Sequence, residues 1–161
     1  MRKLLVTVRL NLALATLRPE INAPTLAKEQ ASIALHELKP FAKNKGKVMV
    51  GRKLDKEREQ DEPRQTYIDA KELEVKAYFR LGSAQSAVGD YAAAIRNFGQ
   101  SIQCRKDLDP DAPSEPLILR RIAEAKKGNT RKKERQRKKF KFAFADGKEE
   151  GEKGDGDAIE E

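Results

Sequence analysis

The sequence predicts an all-α fold. Antiparallel helix pairs would stack as a solenoid, closed by a long basic C-terminal capping helix and followed by a disordered acidic tail. Three observations predict it. Residues 76–102, KAYFRLGSAQSAVGDYAAAIRNFGQSI, carry apolar side chains at i, i+3 and i+4 on both sides of a single Gly-Asp break. A weaker version of the same pattern occupies the N-terminal end. Trp is absent and aromatic residues make up only 6% of the chain, so a core must be built from Leu, Ile, Val and Ala. With 38% hydrophobic and 37% charged residues over 161 positions, one modest core is affordable and much of the length stays in water.

Taken in chain order, residues 3–38 form a degenerate N-terminal helix pair. VRLNLALATL reads as its first helix and APTLAKEQASIAL as its second, joined by a somewhat long turn from Arg18 to Ala23. Residues 39–67 follow as a charged insertion or linker, interrupted by Pro40, Gly46 and Gly51 and predicted to hold at most a short charged helix. Ala13 and Gly82 lie 69 residues apart, close to two repeat lengths, so a decayed middle repeat is the alternative reading of this stretch. Residues 68–110 form the strong helix pair. Asp69 and Glu72 have capping-box spacing, which predicts a helix start there. Val75, Tyr78, Phe79, Leu81 and Gly82 line its first helix, and Tyr91, Ala94, Ile95, Phe98 and Ile102 its second. Gly89 suits a helix C′ position and Asp90 an N-cap. Residues 114–145 read as the capping helix, with Leu117, Leu119 and Ile122 covering the open face of the pair and Gly128-Asn129 as a potential kink. Residues 146–161 are Gly- and acid-rich and are predicted to be disordered.

Small residues fall where paired helices must approach closely: Gly82 on one helix, Ala94 and Ser101 on the next, with Tyr78, Leu81 and Phe98 filling the space around them. This segment resembles the tetratricopeptide repeat (TPR), a helix–turn–helix unit of 34 residues. Tyr78-x-x-Leu81-Gly82 matches the opening of that pattern with Tyr for Trp, and Ala94-x-x-x-Phe98 matches its second helix. Pro110 resembles the closing proline, slightly displaced, and Gln85 replaces a usual aromatic. In the N-terminal unit, Leu12-Ala13 stands where Leu81-Gly82 stands, and Ala27, Ala31 and Ala34 keep the spacing of Ala94, Phe98 and Ser101.

The resemblance extends to the TPR regions of FKBP-type and cyclophilin-type immunophilin co-chaperones, over roughly residues 5–140 with 39–67 outside it. In that family a Lys and an Arg on one repeat and an Asn on the preceding one form a carboxylate clamp for the C-terminal Glu-Glu-Val-Asp of a cytosolic heat-shock chaperone. K-A-Y-F-R carries Lys76 and Arg80, and Asn11 precedes Leu12-Ala13 as Arg80 precedes Leu81-Gly82. The resemblance therefore implies a protein-binding module with Asn11, Lys76 and Arg80 as peptide-binding residues and a heat-shock chaperone C-terminal peptide as partner. The chemistry suits that role: Arg80 offers a planar fork for a carboxylate, Lys76 a mobile point charge, and Asn11 an uncharged donor. Glu72, four residues before Lys76, offers the competing reading of a simple ion pair along a solvated face. The family clamp also uses a Lys and an Asn from an earlier repeat, and only ten residues precede Asn11. The expectation is an incomplete clamp, or a chain that is part of a longer protein. No isomerase domain is carried.

Charge is unevenly spread within a net +8. From Arg120 to Lys141 twelve Lys or Arg face two Glu, and from Asp146 to Glu161 eight acids face two Lys. Arg131, Lys132, Lys133, Arg135, Arg137, Lys138 and Lys139 are candidate binding residues for nucleic acid through phosphate contacts. The same run reads as a nuclear-localisation patch, or as a calmodulin-binding helix with Phe140, Phe142 and Phe144 as anchors. A generic TPR adaptor, or a nucleic-acid- or ribosome-associated protein working through this helix, is the alternative function.

Enzymatic chemistry has no foothold in the sequence. It holds no Gly-rich phosphate loop, nucleophile motif or zinc-ligand spacing, so neither a cofactor nor a metal is expected. Cys104 reads as a small buried hydrophobe and His36 as a helix-face residue. One cysteine excludes an internal disulfide and fits a reducing, cytoplasmic or also nuclear, setting. No stretch approaches the roughly 18 apolar residues of a membrane span. Arg9 breaks the continuous apolar core that a secretory signal needs; a mitochondrial presequence, Arg-containing and poor in acids, is the alternative reading of this acid-free start, and the fit of the same residues to a repeat helix favours the helix. Two repeats make a marginal solenoid, so low stability is expected unless 39–67 supplies a third packing unit.

Overall fold

The computed structural model describes residues 2–42, 61–113 and 115–146. Within them lie five α-helices and no strand: α1 (Arg2–Thr16), α2 (Pro24–Ala42), α3 (Asp61–Val88), α4 (Tyr91–Leu108) and α5 (Pro116–Asp146). The fold class is all-α. Residues 43–60, most of the charged segment, and 147–161, nearly all of the acidic tail, lie outside the described residues.

Helix α1 buries Val6, Leu10 and Ala13, a stripe of i, i+4 and i+7. It ends where the Thr16 hydroxyl donates back to the Leu12 and Ala13 carbonyls at 3.0 and 3.1 Å, and Pro19 removes a donor just beyond. Asn22 takes a left-handed φ of 44°, a conformation Asn tolerates better than most residues. Pro24 then opens α2 at the first helical position, where its missing N–H costs nothing. Arg9, which interrupts the apolar N-terminal run, reaches Glu37 and Gln30 of α2, each at 3.2 Å. It ties the two helices together.

Two boundaries differ from the sequence reading. Pro40 does not end α2, which continues to Ala42; it sits exposed in the last turn. Helix α3 begins at Asp61, not at the capping-box pair. Pro63 lies within its first turn, where backbone N–H groups lack helical partners anyway, so the proline is compatible with the longer helix. Asp69 lies inside the helix and pairs with Lys3 of α1. Both ends of the 39–67 segment therefore belong to helices.

The α3–α4 turn follows expectation. Gly89 has a φ of 83°; its N–H donates to the Ser86 carbonyl and that of Asp90 to the Gln85 carbonyl, at 3.1 and 2.8 Å. These are the two bonds of a Schellman stop. The Asp90 carboxylate accepts the Ala93 N–H at 3.2 Å and caps α4. Close approach at Gly82 is also as expected: a Cβ there would lie 2.8 Å from the Phe98 ring. Phe98 is fully buried and meets Phe79 at 5.8 Å between centroids, and the Ser101 hydroxyl donates across to the Val75 carbonyl at 2.9 Å. Ala27, Ala31 and Ala34 in α2 and Ala94, Phe98 and Ser101 in α4 are all completely buried.

Helix α5 covers the far side of α4 with a register different from the one expected. Ile118 is 1% exposed and packs with Ile122 and Ala125, while Leu117 and Leu119 are 51% and 49% exposed. Residues 118, 122 and 125 share a helical face; 117 and 119 flank it. Gly128 makes no break in α5. A Cβ there would come within 2.5 Å of the Tyr91 ring, so the glycine lets α5 lie against α4. Each helix packs on its chain neighbours, and α3 also meets both α1 and α5. The core accordingly runs in two clusters, one across α1–α3 and one across α4–α5 joined to α3 through Phe79.

Candidate functional site

Because α3 meets both α1 and α5, two neighbouring depressions lie along it. The first, about 280 Å³, lies between α1 and α3. Lys3, Thr7, Leu10 and Asn11 line it from α1; Asp69, Glu72, Leu73, Lys76 and Arg80 line it from α3. On each helix the positions recur at three- and four-residue steps, which places them on one face. Asn11 is thus brought to one groove with Lys76 and Arg80, 65 and 69 residues away in sequence.

The electrostatics of the groove are lopsided. Lys3 is neutralised by Asp69. Neither Lys76 nor Arg80 has an ion-pair partner among the described residues, and Glu72 does not pair with Lys76. Arg80 is half-buried, and loss of water around its guanidinium pulls its pKa below the ordinary arginine value. A partly desolvated cation without an anion is an unfilled electrostatic demand. Asn11 and Lys76 are exposed at the same groove, and Glu72 places one opposing charge on its wall.

The second depression, about 500 Å³, lies between α3, the end of α4 and the start of α5. Its walls are largely apolar: Val75, Phe79, Leu108, Ala112 and Ile118. Arg105 and Glu115, joined as an ion pair, sit on its rim. Glu72 and Lys76 line both depressions, so the two are neighbours along α3. Sequence reasoning did not find this one. Its lining comes from three helices and a loop, and no local spacing connects them.

On the other side of α3, Glu74, Lys71 and Asp107 form a charged cluster, with Lys71 2.9 Å from Glu74 and 3.6 Å from Asp107. Burial alone would lower the Lys71 pKa, but the Glu74 hydrogen bond and charge outweigh it and the net direction is upward. Cys104 is buried beside Glu74, with Sγ 3.7 Å from the carboxylate. Burial first, and the Glu74 charge second, push its thiol up to about 11, which keeps it protonated at neutral pH and poor as a nucleophile. Burial likewise raises the Tyr78 phenol, aided by Glu74. Among the described residues no group of three or more His, Cys, Asp or Glu is placed to hold a metal ion, and no helix is long and apolar enough to cross a membrane.

The basic candidates lie along the outer part of α5. Arg131, Lys132, Lys133, Arg135, Arg137, Lys138 and Lys139 are all exposed, and none is in an ion pair among the described residues. Lys132 alone is tethered, donating to the Gly89 carbonyl at 2.9 Å. No protein-family model matches the chain, and neither a curated protein nor a solved structure matches it.

Proposed function

We propose that the chain is a TPR-type co-chaperone module, not an enzyme, that binds the acidic C-terminal peptide of a heat-shock chaperone in the α1–α3 groove. One observation carries the reading: Arg80, half-buried and without an acidic partner among the described residues, shares a groove with Lys76 and Asn11. A peptide carboxylate would satisfy the guanidinium by a bidentate contact, Lys76 would add charge, and Asn11 would donate a hydrogen bond without repulsion. The helix arrangement supports the TPR reading, since equivalent small residues of both units are fully buried and Gly82 lies against Phe98. The apolar depression beside the groove offers room for an aliphatic side chain upstream of the carboxylate. α5, on this reading, is the solenoid's cap.

Fluorescence anisotropy with a peptide ending Met-Glu-Glu-Val-Asp tests the reading, with a C-terminally amidated copy as control. Binding at about micromolar strength is expected, because a flexible tail must be ordered. Arg80→Ala is expected to weaken it roughly 10- to 100-fold, the worth of a charge-assisted bond of about 1.5–3 kcal/mol. Glu72→Gln, which removes the opposing charge, is expected to strengthen it by about two- to fivefold. Equal binding of the amidated peptide, or indifference to Arg80→Ala, would sink the clamp.

A further inference from the structure

We infer that the outer part of α5 is a binding surface for the phosphate backbone of double-stranded DNA, used independently of the α1–α3 groove. The contact of Gly128 with Tyr91 and the bond from Lys132 to the Gly89 carbonyl are ties between α5 and the α3–α4 corner. From Arg131 to Phe142 every residue is exposed. At about 1.5 Å per residue this is a rod of roughly 18 Å. It carries eight Lys or Arg against the single acid Glu134.

The distribution of those charges identifies the partner. Successive residues turn about 100° around a helix axis. Arg131, Arg135 and Lys138 therefore fall on one side, and Lys133, Arg137 and Lys141 fall largely on the other. An amphipathic helix that fills an apolar protein groove needs anchors at i, i+3, i+4 and i+7. Residues 131–139 contain no apolar side chain at all. A helix lying on an anionic membrane needs one apolar face, and the exposed Phe140 and Phe142, two residues apart, point to nearly opposite sides. A rod with cations on both flanks instead matches a groove whose two walls both carry phosphates. The major groove of B-form DNA, about 12 Å wide, admits a helix, whereas that of A-form RNA is too narrow. Contacts to phosphates carry no sequence information, so binding through them is independent of base sequence.

The test is anisotropy of a labelled 20-base-pair DNA duplex of arbitrary sequence with the full chain at 50 and 200 mM salt. Neutralising about five phosphates gives an expected affinity loss of a few hundred-fold across that range. Arg135→Gln/Arg137→Gln/Lys139→Gln is expected to flatten the salt dependence by about three charges' worth with helicity unchanged, because the three side chains are exposed. Arg80→Ala is expected to leave duplex binding as it was, which separates this surface from the peptide groove. No duplex binding at 50 mM salt overturns the proposal, as does binding that ignores salt or the triple substitution. Tighter binding to RNA duplex, calmodulin or phosphatidylserine vesicles under the same conditions overturns the assignment to DNA.

Discussion

Leu12-Ala13 in α1 and Leu81-Gly82 in α3 hold the same place in two similar sequence patterns, yet their surroundings differ. The small residue is buried in both. Leu81 is 8% exposed and joins the cluster made with α1 and α2, while Leu12 is 44% exposed. Leu4, Leu5 and Val8 share the open side of α1 with it. The pattern is the same; the neighbour is not. In α3 the residues of that face meet a preceding helix pair, and in α1 no described element covers them. At the other end of the stack α5 solves the problem differently, turning Ile118, Ile122 and Ala125 inward and mostly charged residues outward. The outer face of α5 is thus largely charged, whereas that of α1 is not.

The sharpest way to break the comparison is at the α5 end. Ile118→Ala is expected to cost about 2–5 kcal/mol, read from urea melts followed by circular dichroism, because the side chain is almost wholly enclosed. A cost no larger than that of an exposed substitution would mean that α5 does not stabilise the stack.

Gly128→Ala asks how close the α4–α5 contact is. Displacing the Tyr91 ring is expected to cost about 1–3 kcal/mol. Combined with Tyr91→Ala the penalty should largely vanish, since the obstacle is then absent; additive losses would place the cause elsewhere.

The smallest effect is expected at the open end. Val8→Gln/Leu12→Gln should change stability by less than about 0.5 kcal/mol per site, as both side chains already face solvent. A loss comparable to that of Ile118→Ala would show that α1's outer face is covered in solution, and the contrast between the two ends would fail.

The grouping of Asn11, Lys76 and Arg80 was legible because each could be placed by its offset from a small residue that had to be buried. Leu-Ala and Leu-Gly set the register of α1 and α3, and the 3.6-residue period did the rest. The start of α3 was not legible from Asp69 and Glu72, because the partner that explains Asp69 is Lys3, 66 residues away. The register of α5 was missed for a related reason. Leu117 and Leu119 are hydrophobes of the same size as Ile118, and only packing against α4 selects Ile118.

By itself the sequence determined what a few consecutive residues enforce: an all-α chain, the stop at Gly89, the cap at Asp90, and the close approach of Gly82 to its partner helix. These depend on backbone φ, on local hydrogen bonds and on side-chain size, all of which are local properties. Tertiary structure decided which apolar face of each helix is covered, that among the described residues Arg80 lacks an acid while Lys3 has one, that Gly128 receives a tyrosine ring, and that an apolar depression opens beside the groove. Those outcomes depend on which distant side chains arrive at van der Waals or ion-pairing distance, and no short-range pattern encodes that.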